Sequence, residues 1–169
     1  MLTDYFYVQL RQSVKVALPL VSTAEVISLR RGDICPIPGV APALLGVVNH
    51  RGRILWVLEL SDLLKLAPSP GVARPQDRLT LVVLRATSEG VGVGEGAERQ
   101  IACAVSALSG IVPLNPRQFK PISKKLTSEL RLFVCGVTEI EQSRVAILNI
   151  EAILAALSAS VPTTSLIPQ

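Results

Sequence analysis

Aromatic residues are scarce in this chain, at 4% of 169 residues, and charged residues reach only 18%. A core must therefore be assembled from Val, Leu, Ile and Ala. Apolar residues make up 49%, which excludes disorder on compositional grounds. The length suits one domain, or two small subdomains sharing a core. Cysteine is equally sparse: Cys35, Cys103 and Cys135 are odd in number and far apart, with no CxxC. A disulfide scaffold is excluded, and His50, the only histidine, cannot complete a usual zinc set. The expectation is no metal, no cofactor, and free thiols in a reducing cytoplasm. Cys103 and Cys135 should be muted inside apolar strands, with Cys35, in a loop before Pro36, more exposed. No basic region and long apolar core open "MLTDYFYVQL", which argues against a signal peptide. The longest charge-free apolar run, about residues 34–48, carries three prolines and is too short to span a bilayer. A cytoplasmic protein without direct membrane insertion is expected.

Charge is not concentrated either. The net charge is +4, and the densest groups are Arg30-Arg31, Arg51/Arg53, Arg117/Lys120 and Lys124-Lys125. Nucleic-acid binders gather basic residues and interleave exposed aromatics. Here Trp56, Phe119 and Phe133 sit beside apolar residues. Nucleic acid is therefore not an expected partner, and a small-barrel nucleic-acid binder is kept as the alternative. Catalytic signatures are missing as well. There is no GxSxG to give His50 a nucleophile, and "GVGVGEG" neither matches GxGxxG nor precedes a Lys-Ser/Thr. It reads as a hairpin connector. Glu139 and Glu141 flank a hairpin turn and look solvated. No enzyme is expected.

What is present is a succession of short strands. In "SVKVALPL" Val14, Val16, Leu18 and Leu20 alternate with Lys15, Ala17 and Pro19, a half-buried strand whose hairpin partner is "YFYVQL". "AEVISLRR" is a third, stopped by "RGD". "CPIPGVAP", with three prolines in eight residues, is an extended connection. "LLGVVNH" and "RILWVLEL" are nearly continuous in apolar character, as in strands buried on both faces. Ser61-Asp62 caps a helical turn, "LLKLA". "PSPGVARPQD" is the clearest break, a loop tip or a join between halves. "RLTLVVLRAT" and "RQIACAVSAL" are two further strands. "SGIVPLNPRQFKPI" holds a short strand and a turn capped by Asn115 with Pro116 at its first position. "LRLFVCGVTEI" and "SRVAILNI" form the last hairpin. Asn149 then caps a helix whose apolar stripe is Ile150, Ile153, Leu154 and Leu157, followed by a frayed tail. The fold class is mainly β: a sandwich, or one or two small barrels, with no exact internal repeat.

One stretch carries more than a hairpin needs. In "GVVNHRGRILWVLEL", Asn49 offers a side-chain hydrogen bond and Gly52 a positive φ. Arg51 is surplus to the turn. Its guanidinium can fix a neighbouring strand through a carboxylate, or reach a partner protein.

These residues resemble the central motif of CheW-like proteins, roughly Gly-φ-φ-Asn-Leu-Arg-Gly-x-φ-x-Pro-φ-φ-Asp-Leu. Gly46, Asn49, Arg51, Gly52 and Leu60 match it directly. "YFYVQL…VALPL…AEV", "IACAVSALSGIVPLNPRQFKPI" and "FVCGVTEIEQSRVAILNIEAIL" are similar to the family's opening, middle and closing segments. The departures are His50 for leucine, Trp56 for proline, Glu59 for aspartate, and Ala107-Leu108 where Val-Asp is usual. Trp56 and "IPGV" resemble the variants serving pilus-driven motility and phototaxis. The resemblance implies one domain over 4–158, made of two five-stranded SH3-like barrels packed on a shared apolar core with a short C-terminal helix. A Pro-rich loop near 67–77 and a flexible tail at 159–169 complete it. It also implies a non-catalytic adaptor coupling methyl-accepting receptor tips to a CheA-type histidine kinase, able to join rings or arrays at membrane receptors. A milder version docks the kinase and no receptor. The implied partner-binding residues are Asn49, Arg51 and Gly52, with Glu25 as the carboxylate that Arg51 holds. Apolar Ile37, Val40 and Leu45 are added for the kinase contact.

Overall fold

The computed structural model describes residues 1–87, 98–122 and 127–160. The expected Gly-rich connector, Lys124-Lys125 and the tail beyond Ser160 lie outside them. Ten strands are described: β1 (Thr3–Gln9), β2 (Lys15–Pro19), β3 (Thr23–Arg30), β4 (Leu44–His50), β5 (Arg53–Glu59), β6 (Arg78–Thr87), β7 (Glu98–Val105), β8 (Ala107–Leu114), β9 (Val134–Ile140) and β10 (Ser143–Leu148). The helices are α1 (Leu60–Leu63), α2 (Ser128–Phe133) and α3 (Ile150–Ser160). The strands form two five-stranded sheets, β8-β1-β2-β10-β9 and β3-β6-β7-β5-β4. Each curls into an SH3-like barrel, here barrel 1 and barrel 2.

Strand alternation explains the near-continuous apolar runs. On β5, Leu55 and Val57 point into barrel 2, where they meet Val48, Leu81, Val83 and Ala102. Leu58 points the other way, into a core shared by the barrels, and half-buried Trp56 packs against that core. The same holds on β2: Val16 and Leu18 enter the shared core, while Ala17 is fully buried inside barrel 1 beside Tyr5, Tyr7 and Ile147. The half-buried reading of β2 is thus corrected, because the face opposite the shared core is itself a barrel interior. Among the described residues the shared core holds 22 buried side chains, against eight and five inside the barrels. Full burial of a Leu or Val contributes about 1.5–3 kcal/mol. The junction therefore carries most of the apolar stabilisation.

The Pro-rich stretch is a loop within barrel 2 and does not join the halves. The chain crosses between barrels elsewhere: at the 3-10 turn Leu20–Ser22, and at Ser106 between β7 and β8. "RQIACAVSAL" is consequently two strands of different sheets, with the Ser106 amide donating to Gln9 O across the crossing at 2.8 Å. "LRLF" is α2, not strand, because the Thr127 hydroxyl accepts from the Leu130 amide at 3.4 Å and starts a helix. α1 begins at Leu60, three residues before the expected "LLKLA", and its cap is Glu59 in place of Ser61-Asp62, the carboxylate accepting from the Ser61 amide at 3.3 Å. Asn149 caps α3 as expected, accepting from Ala152 at 3.1 Å.

The two barrels share one pairing diagram. In each, a hairpin (β4–β5 or β9–β10) joins the sheet through a parallel contact, β5 to β7 or β10 to β2. Gly46–Leu64 lines up with Gly136–Leu154: glycine, strand, two-residue bend, strand, helix. Each Gly is followed by a Val that bridges to the preceding loop, Val47 to Cys35 and Val137 to Lys120. The sequence hides this because few of the matched residues are identical.

Arg11, in the turn between β1 and β2, ties barrel 1 to α1 of barrel 2. Its amide donates to the hydroxyl of Ser61, which is fully buried, at 3.2 Å. Its Nη2 donates to Leu66 O at 3.1 Å and to the Asp62 carboxylate.

Candidate functional site

The bend between β4 and β5 is a two-residue turn closed by the His50–Arg53 pair. Both central residues have positive φ, Arg51 at +53° and Gly52 at +78°. That defines a type I′ hairpin, whose twist suits the flanking strands. The Asn49 Oδ1 accepts from the Gly52 amide at 3.1 Å, as the sequence implies. Arginine in a left-handed conformation costs about 1–2 kcal/mol. The turn thereby holds Arg51 outward, with its side chain 77% exposed.

β3 and β4 are the outer strands of barrel 2 and are not paired with each other. Glu25 on β3 spans that seam. Its Oε1 lies 3.1 Å from His50 Nε2, and its Oε2 lies 3.6 Å from Arg51 Nη1. The period of two places His50 on the face of Val48, and Glu25 on the face of Ile27 and Leu29, all of which pack on the barrel 2 core. The pair thus lies over one mouth of the barrel. Glu25 is 31% exposed, so the contact to Arg51 contributes at most about 1 kcal/mol. Arg51 and Glu25 meet as the resemblance implied, and His50 is the nearer partner. Nothing local in the sequence signals the histidine's role, since the contact depends on two strands that do not pair.

Around the bend, Ile54 on β5 is 64% exposed and Val26 on β3 is 38% exposed. Ile54 pairs with Asn49 across the hairpin, and Val26 follows Glu25 in sequence. Ile37, Val40 and Leu45 are half-buried, at or before the start of β4 and so away from the bend. Val40 packs against the shared core and Leu45 against that of barrel 2. The structure does not bring these three to Arg51.

The thiols divide by depth. Cys103 is fully buried in the shared core, and burial, with the nearby Glu59 charge, pushes its pKa up to about 12. Cys35 is exposed, as expected. Cys135 is exposed too, contrary to expectation, because β9 is an outer strand; partial burial still raises its pKa. Among the described residues, no group of three or more His, Cys, Asp or Glu is placed to hold a metal ion. No helix there is long and apolar enough to cross a membrane.

Two SH3-like barrels sharing one core, with an arginine-bearing bend at a barrel mouth, define a class of β domain. The family profile described as "CheW-like domain" matches residues 4–158, and the chain belongs to that family. Among solved structures it is similar to the scaffolding protein TtCheW from Thermoanaerobacter tengcongensis. The TM-score is 0.66 at 17% identity, over 88% of this chain and 90% of that one, so the likeness is one of fold. No curated protein matches the sequence.

Proposed function

We propose that this CheW-like domain is a non-catalytic adaptor of a chemotaxis-type signalling system. It couples the cytoplasmic tips of methyl-accepting receptors to a CheA-type histidine kinase, in arrays at the membrane. The reading rests on family membership and on one observation above all. Arg51 is held outward by a strained turn, backed by Glu25 and His50 and flanked by exposed Ile54 and Val26. A guanidinium amid exposed apolar groups suits a protein partner better than a small substrate. Asn49 and Gly52 serve that contact by fixing the turn. Ile37, on the Pro-rich connector, belongs with Val40 and Leu45 to a second contact. Single contacts of moderate affinity gain from repetition in an array. Trp56 and the "IPGV" leader favour a system driving pili or phototaxis.

The test is a reconstituted assembly of receptor tip, kinase and adaptor. Arg51→Ala should lower kinase coupling about tenfold or more, while changing unfolding free energy by no more than about 1 kcal/mol. Coupling at the level of the unaltered protein would sink the proposal. Kinase capture without receptor capture in a pull-down would instead favour a regulator that docks the kinase alone.

A further inference from the structure

Two bases claim the Glu25 carboxylate across the seam between β3 and β4, and they do so unequally. His50 Nε2 lies at hydrogen-bond distance from Oε1, 3.1 Å, on a side chain that is only 23% exposed. Arg51 Nη1 lies 3.6 Å from Oε2, beyond a hydrogen bond, on a side chain that reaches into solvent. The ring holds the carboxylate, and the guanidinium is drawn to whatever charge the ring leaves uncompensated.

That remainder depends on one proton. Histidine is the side chain whose charge ordinarily changes between about pH 5 and 8, and this chain has a single one. A neutral ring can donate its Nε2–H to Glu25 but cancels none of its charge, so the carboxylate still attracts Arg51. A protonated ring makes a charge-assisted bond to Glu25 and stands as a cation beside Arg51 in the chain. The other strands bring no second carboxylate side chain to this mouth among those described. Arg53 pairs with His50 across the hairpin, Arg85 on β6 shares the face of Val83, and Gln100 on β7 pairs with Arg85. β7 begins there at Glu98.

We infer that His50 is a positioning residue for Arg51 and makes its availability depend on pH. Protonation transfers the Glu25 charge from Arg51 to His50, releases the guanidinium, and strengthens docking of a partner that offers a carboxylate to the bend. The effect on docking rests on the adaptor reading; the transfer within the chain does not. The leucine usual at this place in the family motif has no proton to exchange. Glu25 and His50 are both partly exposed, so the effect on coupling is modest, about two- to fivefold.

The experiment has two arms. In the first, the ¹³C-labelled full chain is titrated by NMR from pH 8 to pH 5.5. The Arg51 Cδ–Hδ signals should follow the ring C–H signals of His50 with one midpoint. Glu25→Gln should abolish that response, which mere adjacency in the chain would preserve. In the second, coupling in the assembly of receptor tip, kinase and adaptor is compared at pH 8 and pH 6. It should rise about two- to fivefold relative to His50→Gln, which cannot take up a proton. Comparing the two proteins cancels the kinase's own pH response, and His50→Leu serves if the glutamine variant fails to fold. Arg51 signals that ignore the His50 midpoint, or follow it equally in Glu25→Gln, overturn the proposal. So does a pH response of coupling that His50→Gln leaves unaltered. Should Arg51→Ala leave coupling intact, the adaptor reading falls, while the titration of the chain alone still decides whether His50 governs Arg51.

Discussion

Gly46 stands where two lengths of backbone cross. Its φ is +142°, and an added Cβ would lie 2.1 Å from Cys35 O and 2.9 Å from Pro36 Cα. The neighbouring Val47 exchanges two backbone hydrogen bonds with Cys35, at 2.8 and 2.9 Å, so the loop cannot simply move aside. Gly46→Ala should cost about 3 kcal/mol or more in urea unfolding. Gly52, at +78° with open space around it, should tolerate alanine for about 1–2 kcal/mol of backbone strain. Glu59 yields a pH prediction. Burial raises its pKa above the ordinary carboxylate value, and the Ser61 amide only partly opposes this. The folded protein therefore binds that proton more tightly than the unfolded chain. Between the two pKa values stability falls as pH rises, and the loss persists at neutral pH. Glu59→Gln, which keeps the acceptor for Ser61, should raise the melting temperature at pH 7 and flatten its decline from mildly acidic pH. An unchanged pH profile would refute this. The Asn49–Gly52 turn was legible because its chemistry lies within four residues. The Glu25–His50 contact was not, because it joins two unpaired strands.

Among the elements, the strands inside each barrel declare themselves through alternation or continuous apolar character, and α3 through its stripe. Ile153, Leu154 and Leu157 of that stripe are all buried in the shared core. Leu154→Ala should destabilise by about 2–5 kcal/mol by chemical denaturation, since α3 follows the last strand of barrel 1 and packs on β6 and β7 of barrel 2. An effect under about 1 kcal/mol would mean that α3 is peripheral. Other boundaries were illegible for physical reasons. The passage at Ser106 takes one residue, and no proline or glycine marks it. β8 is exposed over its first five residues, and only Val112 and Leu114 at its end pack on the barrel 1 core, so burial imposes little pattern on its side chains. Over its four residues "LRLF" alternates like a strand, and only the Thr127 cap tips it into helix.

For the molecule as a whole, the shared core makes the barrels interdependent. Unfolding of barrel 2 alone would expose the inner face of barrel 1, including Val8, Val16 and Leu18. The chain should unfold in one transition, with the fluorescence of Trp56, its only tryptophan, coinciding with the loss of far-ultraviolet circular dichroism. Two separated transitions would show barrels of independent stability. The mainly β class and the paired barrels followed from strand count and family resemblance. The allocation of strands did not, because the visible break, "PSPGVARPQD", interrupts a barrel, whereas the true crossings are short and plain. The permuted likeness of the barrels was hidden too, since it is conserved in backbone path more than in side-chain identity.

Barrel 1 draws its strands from both ends of the chain, while barrel 2 is continuous from Thr23 to Val105. On the ribosome, then, the first hairpin emerges long before its neighbours exist. Its greasy face has only the nascent middle of the polypeptide to lean on until β8, β9 and β10 are translated. Synthesis that stalls after Val105 should leave a half-clad product, prone to capture by chaperones.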